Sequence, residues 1–121
     1  MSSIDAFSVE AGMELVEVHD GYSRVELTIE AKHLNTQNIA HGGALMTMAD
    51  LAMGSAAFSC GAPVVTMDMQ YRFFRPVQPG DFVVAEGHVD KNGRNIKVTH
   101  ADITVNGERV GYASGQFYRA S

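Results

Sequence analysis

The sequence contains a single cysteine, Cys60, and only three prolines among its 121 residues. One cysteine excludes a disulfide within the chain, so we expect a reducing compartment and a cytoplasmic protein. Positive charge is also scarce, because nine Lys and Arg face fourteen Asp and Glu, for a net charge of -5. This balance argues against nucleic acid as a partner, since nucleic-acid binding needs a basic face.

Long uninterrupted apolar runs are missing as well. The most apolar stretch, 44–58, is broken by Asp50 and by a glycine, so no segment is expected to cross a bilayer and no membrane partner is expected. The first residues lack the basic and then apolar order of a signal peptide. Without repeats or a linker rich in Pro or Ser, residues 1–121 are predicted to form a single domain.

Strand patterns lie on both sides of one helical segment. Val25, Leu27 and Ile29 alternate with polar residues, as in a half-buried strand. A first strand around Leu15 is predicted before them, and the turn signal Asp20-Gly21 separates the two strands. Four further strands are predicted near residues 64–74, 82–90, 94–105 and 108–118. The fold class is therefore α+β, with two strands, one long helix and a four-stranded meander.

Local signals within the last strands predict their connections. Asn92-Gly93 and Asn106-Gly107 are typical of two-residue hairpins, which make the strands they join antiparallel neighbours. The apolar phase changes between Val98 and Ile103, which predicts a β-bulge near His100.

The helix is predicted to begin near His41 and to end near Gly61-Ala62-Pro63. Its apolar residues cover most of the circumference, as in a buried helix, so a sheet must wrap around it or a second subunit must cover it. Asp50 lies within this apolar surface. A buried carboxylate is costly unless it is paired or neutral, so Asp50 indicates chemistry or a specific polar partner.

The segment Asn35–Gly43, with Asp50 nine residues after His41, resembles the acyl-CoA thioesterases of the hotdog fold. It is most similar to the PaaI-like subgroup, linked to phenylacetic acid degradation, and the likeness covers roughly residues 12–118. The resemblance implies a curled antiparallel sheet wrapped around one long central helix. In one departure, Asn38 stands where the family usually has glycine. Asparagine tolerates left-handed backbone angles, so we expect the loop to keep its shape.

Two residues of the motif suit thioester hydrolysis. A helix N-terminus offers unpaired N–H groups and a favourable dipole, so the Gly42 backbone N–H is predicted to be the oxyanion donor, worth ~3–4 kcal/mol in the transition state. Asp50 is predicted to be the general base that activates water, or the nucleophile itself. Alternatively, Gly42 and Gly43 only permit tight packing, and Asp50 is a structural carboxylate with a hydroxyl or backbone partner.

The spacing of these residues predicts a site shared by two subunits. At ~1.5 Å per residue, Asp50 lies roughly 13 Å along the helix axis from His41, too far for one thioester carbonyl to touch both. Asp50 of one subunit is therefore expected to meet His41 and Gly42 of another across a two-fold axis. The resemblance implies the same homodimer, and such dimers often pair into tetramers.

Three more residues are carried over from the resemblance. Thr66 matches a hydroxyl that helps to hold the attacking water, although it also suits an exposed strand position. Asn35 is expected to orient the substrate carbonyl or His41, with capping of the loop as the alternative. His41 either bonds the thioester or fixes the loop.

Coenzyme A is part of the expected substrate, and its phosphates require cations. Arg72, Arg94 and Lys97 are the candidates, although scattered solvated charges would look the same in the sequence. The acyl group requires an apolar slot, for which Met46 and Met53 are candidates together with Phe74, unless they are plain core.

No metal or redox cofactor is expected. His19, His33, His88 and His100 are placed at the surface or in turns, and no pair of them has the sequence spacing of metal ligands. The chief alternative function is a non-catalytic acyl-CoA sensor on the same fold, against which Asp50 counts. A hotdog hydratase or dehydratase would need a histidine paired with an acid in a different motif.

Overall fold

The computed structural model describes residues 4–120. Two α-helices and six β-strands follow one another in the order α1 (Ala6–Glu10), β1 (Glu14–His19), β2 (Tyr22–Thr28), α2 (Gly42–Phe58), β3 (Val64–Phe73), β4 (Phe82–Asn92), β5 (Ile96–Val105) and β6 (Glu108–Arg119). The strands form one antiparallel sheet in the order β1-β2-β4-β5-β6-β3. Because α2 contacts all six strands, the sheet curls around the helix, and the predicted α+β architecture is confirmed.

Small residues let the sheet approach α2 closely. A Cβ atom on Gly87 in β4 would lie 2.3 Å from the carbonyl oxygen of Ala52, so only glycine fits there. The buried Ser23 hydroxyl in β2 donates to the same carbonyl. The middle of α2 is thus held against β2 and β4 by direct backbone contact.

Helix α2 begins and ends where the sequence predicts. His41 is its N-cap residue, and Gly61, with φ of 119°, follows the C-terminus. Most of the helix surface is buried, but Met46 is 39% exposed and Asp50 is half-buried. The sheet of one chain therefore leaves one stripe of α2 uncovered. Within residues 4–120, neither helix has the length and apolar character needed to cross a membrane.

The position of β3 differs from the predicted meander. Strands β4, β5 and β6 form consecutive hairpins, but β3 pairs with β6 at the far edge of the sheet and not with β4. The segment 74–81 between them crosses the end of the sheet, where Val77 is buried. Strand β3 is consequently an edge strand that runs beside α2.

The predicted hairpins at Asp20-Gly21 and Asn106-Gly107 are confirmed, and the two-residue turn predicted at Asn92-Gly93 is wrong. Asn106 and Gly107 adopt φ of 52° and 79° and join Val105 to Glu108 in a two-residue turn. After β4, by contrast, Asn92 pairs with Lys97, so the connection is longer than two residues.

The bulge predicted near His100 is also wrong. Strand β5 alternates buried and less buried residues without interruption. The extra residues that shift its pairing belong to the neighbouring strands, Asp90 in β4 and Val110 in β6. The apolar pattern misled because the buried positions of β5 include the polar Lys97 and Thr99.

The short helix α1 was not predicted. Asp5 caps it by accepting a hydrogen bond of 2.7 Å from the Ser8 backbone N–H. Its exposed Phe7 and Val9 gave no helical stripe in the sequence. The helix nevertheless packs against α2, close to Asp50.

Candidate active site

Asp50 and Thr66 are brought together from two different elements. Asp50 projects from the uncovered stripe of α2, and Thr66 lies on the adjoining edge strand β3. The Thr66 Oγ1 donates a hydrogen bond of 2.7 Å to Asp50 Oδ1. Since Oδ2 of Asp50 receives no hydrogen bond from residues 4–120, one carboxylate oxygen is held and the other can act on a water or a substrate.

A cavity of about 330 Å³ opens beside this pair. Besides Asp50 and Thr66, its walls combine the polar residues Asp5 and Ser55 with Gly54 and with the apolar residues Leu51, Phe58, Val64 and Phe117. A Cβ on Gly54 would lie 3.2 Å from the Phe117 ring. The absence of a side chain at Gly54, one helical turn after Asp50, therefore keeps this cavity open.

The N-terminus of α2 supplies the other predicted group. His41 Nδ1 accepts a hydrogen bond of 2.8 Å from the Gly43 N–H. The ring therefore keeps its accepting nitrogen towards the helix and turns Nε2 away. The Gly42 N–H has no acceptor among the described residues, so it is available to a ligand in the field of the helix dipole.

Both glycines after His41 also lie in close packing. A Cβ on Gly42 would lie 3.1 Å from the Phe73 ring of β3, and one on Gly43 would lie 3.0 Å from His41 Nδ1. The packing role that the sequence left open for these glycines thus has direct structural support. It does not compete with the oxyanion role, because the Gly42 N–H stays free.

The loop before α2 is held by Asn35. Its Oδ1 accepts hydrogen bonds from the N–H groups of Gln37 (2.8 Å) and Ile39 (3.3 Å), which makes Asn35 a loop cap. Asn38 adopts φ of 60°, so the loop has the left-handed residue that the sequence predicts at this position. The Asn35 side-chain amide group donates to no described residue and remains free for a substrate.

Within one chain, the two halves of the site are separate. Gly42 and Asp50 are eight residues apart in one continuous helix, which places them about 12 Å apart along its axis. Phe73 covers the first and Thr66 bonds the second, at opposite ends of β3.

The three cations predicted to hold coenzyme A do not form one patch in a chain. Arg72 in β3 lies level with Asp102 in β5, on the other side of β6. Asp102 is five residues from Lys97, so Arg72 and Lys97 are about 17 Å apart along the strand direction. A bulge at Met67 also turns Arg72 away from Thr66, so these two side chains point to opposite sides of the sheet.

Lys97 is the least available of the three. Its side chain is buried, with 6% exposure for the residue, and its Nζ donates to the Gly93 carbonyl at 2.7 Å, which closes the β4–β5 loop. Arg94 is exposed in that same loop. Arg119, a cation that the sequence analysis missed, pairs with the cavity residue Val64 across the sheet.

The residues predicted for the acyl slot separate into core and surface. Met53 is fully buried in the core, which is the alternative that the sequence left open for it. Phe74 is exposed at the end of β3. Met46 lines a second cavity on the other side of Asp50, together with Asp5 and Phe7 from the unpredicted α1 segment.

One long helix held in a curled, six-stranded antiparallel sheet is the hotdog fold. Residues 37–112, more than half of the chain, match the model of the thioesterase superfamily. The chain therefore belongs to the thioesterase superfamily, and the prediction of a thioester-hydrolysing enzyme is confirmed.

One curated relative supports the PaaI-like assignment. The acyl-coenzyme A thioesterase PaaI of Escherichia coli is 30% identical over 99 residues, which span 82% of this chain and 71% of that protein. The solved structure of E. coli PaaI superposes with a TM-score of 0.93 at 28% identity and covers 97% of this chain and 86% of that one.

A second similar protein carries a ligand. A hypothetical thioesterase from Streptococcus pneumoniae, solved with coenzyme A, has a TM-score of 0.86 and 26% identity over 90% of this chain and 89% of its own. Mutants of that protein were also solved, with alanine in place of an aspartate and of a threonine whose positions differ by 16.

Proposed function

We propose that this protein hydrolyses acyl-CoA thioesters to a free acid and CoA, in a site built by two subunits. The observation that carries the proposal is the Asp50–Thr66 pair, which opens into a cavity with polar and apolar walls on the uncovered stripe of α2. Support also comes from the similar proteins that are named acyl-CoA thioesterases or hold coenzyme A. Asp50 and Thr66 are 16 residues apart, like the aspartate and threonine mutated in the S. pneumoniae protein.

In the proposed reaction, Asp50 takes a proton from water while the water oxygen bonds to the thioester carbon. The carbonyl oxygen then carries a negative charge, which the Gly42 N–H stabilises. Collapse of this intermediate breaks the C–S bond and releases the CoA thiolate, which takes up a proton. Alternatively, Asp50 attacks the carbonyl carbon itself and the C–S bond breaks to release the CoA thiolate, which takes up a proton; water then hydrolyses the resulting anhydride to the free acid and restores Asp50.

Thr66 and the loop before α2 position the reacting groups. Thr66 fixes the Asp50 carboxylate, so that Oδ2 points to the attacking water. The free side-chain amide group of Asn35 would orient the carbonyl, and His41, with Nε2 turned outward, would bond the thioester group. The proposed reaction uses no metal or redox cofactor. A cytoplasmic location stays a prediction.

The second subunit completes the site by pairing along β3. This edge strand exposes half or more of its Val65, Met67 and Phe73 residues, which marks it as a surface for strand pairing. In β3, Thr66 lies at the Asp50 end and Phe73 at the Gly42 end. Antiparallel pairing of β3 with its copy about a two-fold axis near the middle of the strand would bring the Thr66 end of one subunit to the Phe73 end of its partner, and so bring Asp50 towards the partner's helix N-terminus.

For CoA binding, Arg94 and Arg119 become the better cations, because both lie at the end of the sheet that holds Val64 of the cavity. Their guanidinium groups suit the phosphates of CoA. Arg72 could reach CoA only from another subunit. Two such dimers are expected to form a tetramer.

The direct test is release of free thiol from a panel of aliphatic and aromatic acyl-CoAs by the wild type and by Asp50→Asn. The variant keeps the size and the Thr66 contact but cannot accept a proton, so we expect turnover to fall at least ~100-fold, with unchanged circular dichroism and sedimentation. Near-normal turnover would remove Asp50 from the mechanism. If both proteins bind acyl-CoA and neither releases thiol, the non-catalytic acyl-CoA sensor becomes the better account of the function.

A further inference from the structure

The outer face of the sheet, opposite α2, carries a row of ring side chains. His19, Tyr22, His88, His100 and Tyr112 follow one another across five strands, with ring centroids of successive members 4.9–5.8 Å apart. Strand register creates the row, since Tyr22 pairs with His88 and His88 pairs with His100. Asp50 lies on the other side of the sheet, so the row is outside the proposed reaction.

Three potential metal ligands meet in the middle of this row. His88, His100 and Asp102 each offer one ligand atom, and these atoms lie within 4.8 Å of one another. The His100 Nε2 is 3.8 Å from Asp102 Oδ2, and the two imidazole rings are stacked at 4.9 Å. Two imidazoles and one carboxylate are a ligand set for divalent transition metals.

His100 is oriented as metal-binding histidines are. Its Nδ1 lies 2.8 and 2.9 Å from the two carboxylate oxygens of Asp90, at the bulge of β4. An Nδ1–H that donates to Asp90 leaves the lone pair on Nε2, which is the nitrogen facing Asp102. A carboxylate behind the histidine is the typical outer partner of a metal ligand.

One oxygen of the Asp102 carboxylate, next to this histidine, lacks an aligned hydrogen-bond donor. Its Oδ1 is shielded from solvent and receives no aligned hydrogen bond from residues 4–120, although Arg109 Nη2 lies 2.9 Å away as an ion partner. Its Oδ2 faces His100. Arg109 therefore engages Oδ1, and a cation between Asp102 and the two histidines would bind through Oδ2.

We propose that His88, His100 and Asp102 bind one divalent transition-metal ion, with Zn²⁺ as the probe. Zinc bonds of about 2.0–2.2 Å place tetrahedral ligands about 3.4 Å apart, so the His88 ring must turn from its stacked position towards Asp102. The fourth position would be taken by water. The ion would tie β4 to β5 on the outer face and have no part in thioester hydrolysis.

The test is calorimetric titration of Zn²⁺ into the untagged full chain after removal of metal with a chelator. We expect one site per chain, and at least 10-fold weaker binding in His100→Gln and in Asp102→Asn. Asp90→Asn should weaken binding about 10–100-fold by releasing the His100 ring. The matched control His19→Gln removes a histidine from the same row and should bind like the wild type.

Co²⁺ absorption gives a second readout, since nitrogen and oxygen ligands in a four-coordinate site produce visible bands that hydrated Co²⁺ lacks. Circular dichroism shows that each variant is folded before its affinity is compared. Absence of a site in the wild type would overturn the proposal. So would Zn²⁺ affinity that survives in both folded variants, His100→Gln and Asp102→Asn, or that is lost in His19→Gln.

Discussion

Thr66 holds one oxygen of the Asp50 carboxylate through a hydrogen bond of 2.7 Å and leaves the other free. The two residues come from the edge strand β3 and from the stripe of α2 that the sheet does not cover. This contact holds the Asp50 carboxylate beside the cavity. It also places the acid next to the surface on which we propose that a second subunit pairs.

Replacing Thr66 tests what this contact does for turnover. In Thr66→Val the shape is kept but the donor is lost, so Asp50 is free to turn away from the water. We expect kcat to fall about 10–100-fold, since a hydrogen bond to a charged group is worth ~1.5–3 kcal/mol. Thr66→Ser retains the hydroxyl and should recover most of the rate in a thiol-release assay. Equal rates in the Val and Ser variants would mean that the contact is not used.

The oxyanion role of Gly42 can be separated from its packing role. Gly42 is the first residue of α2, where proline is tolerated, and His41 has φ of -62° and ψ of 133°, which suits a residue before proline. Gly42→Pro therefore removes the N–H without breaking the helix. We expect kcat to fall about 10²–10³-fold.

Gly42→Ala is the matched control, because it adds the same Cβ next to Phe73 but keeps the N–H. Its loss should be much smaller than that of Gly42→Pro when both are assayed at saturating substrate. Similar losses in the two variants would assign the effect to packing against Phe73 and leave no role for the N–H.

Gly54 is expected to set the size of the accepted acyl group. Gly54→Ala places a methyl group 3.2 Å from Phe117 and narrows the cavity beside Asp50. We expect kcat/KM to fall for bulky acyl-CoAs, by the ~1–3 kcal/mol typical of a methylene-sized change, and to stay level for acetyl-CoA. Ser55 lines the same cavity, and Ser55→Ala does not narrow it. This variant should leave the ranking of the acyl-CoA substrates unchanged. A uniform loss in Gly54→Ala for all substrates would contradict this role.

Tyr22 predicts a pH dependence of stability. Burial and a hydrogen bond to Glu86 raise the pKa of Tyr22 from 10.0 to about 12. The unfolded chain therefore loses this proton first, and the stability that Tyr22 contributes below pH 10 is lost as the pH rises towards 12. In Tyr22→Phe, denaturant unfolding should show a smaller decrease in the free energy of unfolding across that window. An identical decrease in both proteins would count against the shift.

The sequence was a good guide to local structure and a poor one to pairing. The ends of α2 and the Asn106-Gly107 turn followed from capping and turn chemistry, which act between neighbouring residues. The edge position of β3 could not be predicted in that way, because nothing near Val64 in the sequence specifies that it pairs with Arg119 and not with β4.

The same limit applied to the candidate sites. The motif around His41 and Asp50 is local and was found, whereas the proximity of His88 and His100 depends on the register of β4 against β5. Lys97 was misplaced because a lysine is normally a surface residue. Its burial follows from a backbone carbonyl, that of Gly93, which no pattern of side chains reveals.

The central claim, a hydrolytic site shared by two subunits, is tested most directly by mixing two inactive variants. Asp50→Asn and Gly42→Pro are unfolded together, refolded as mixed dimers and assayed for thiol release. We predict about a quarter of wild-type turnover, because half of the dimers are mixed and each mixed dimer has one site with both residues intact. Turnover no higher than that of the separate variants would contradict the account, since it would place both residues in a site within one chain.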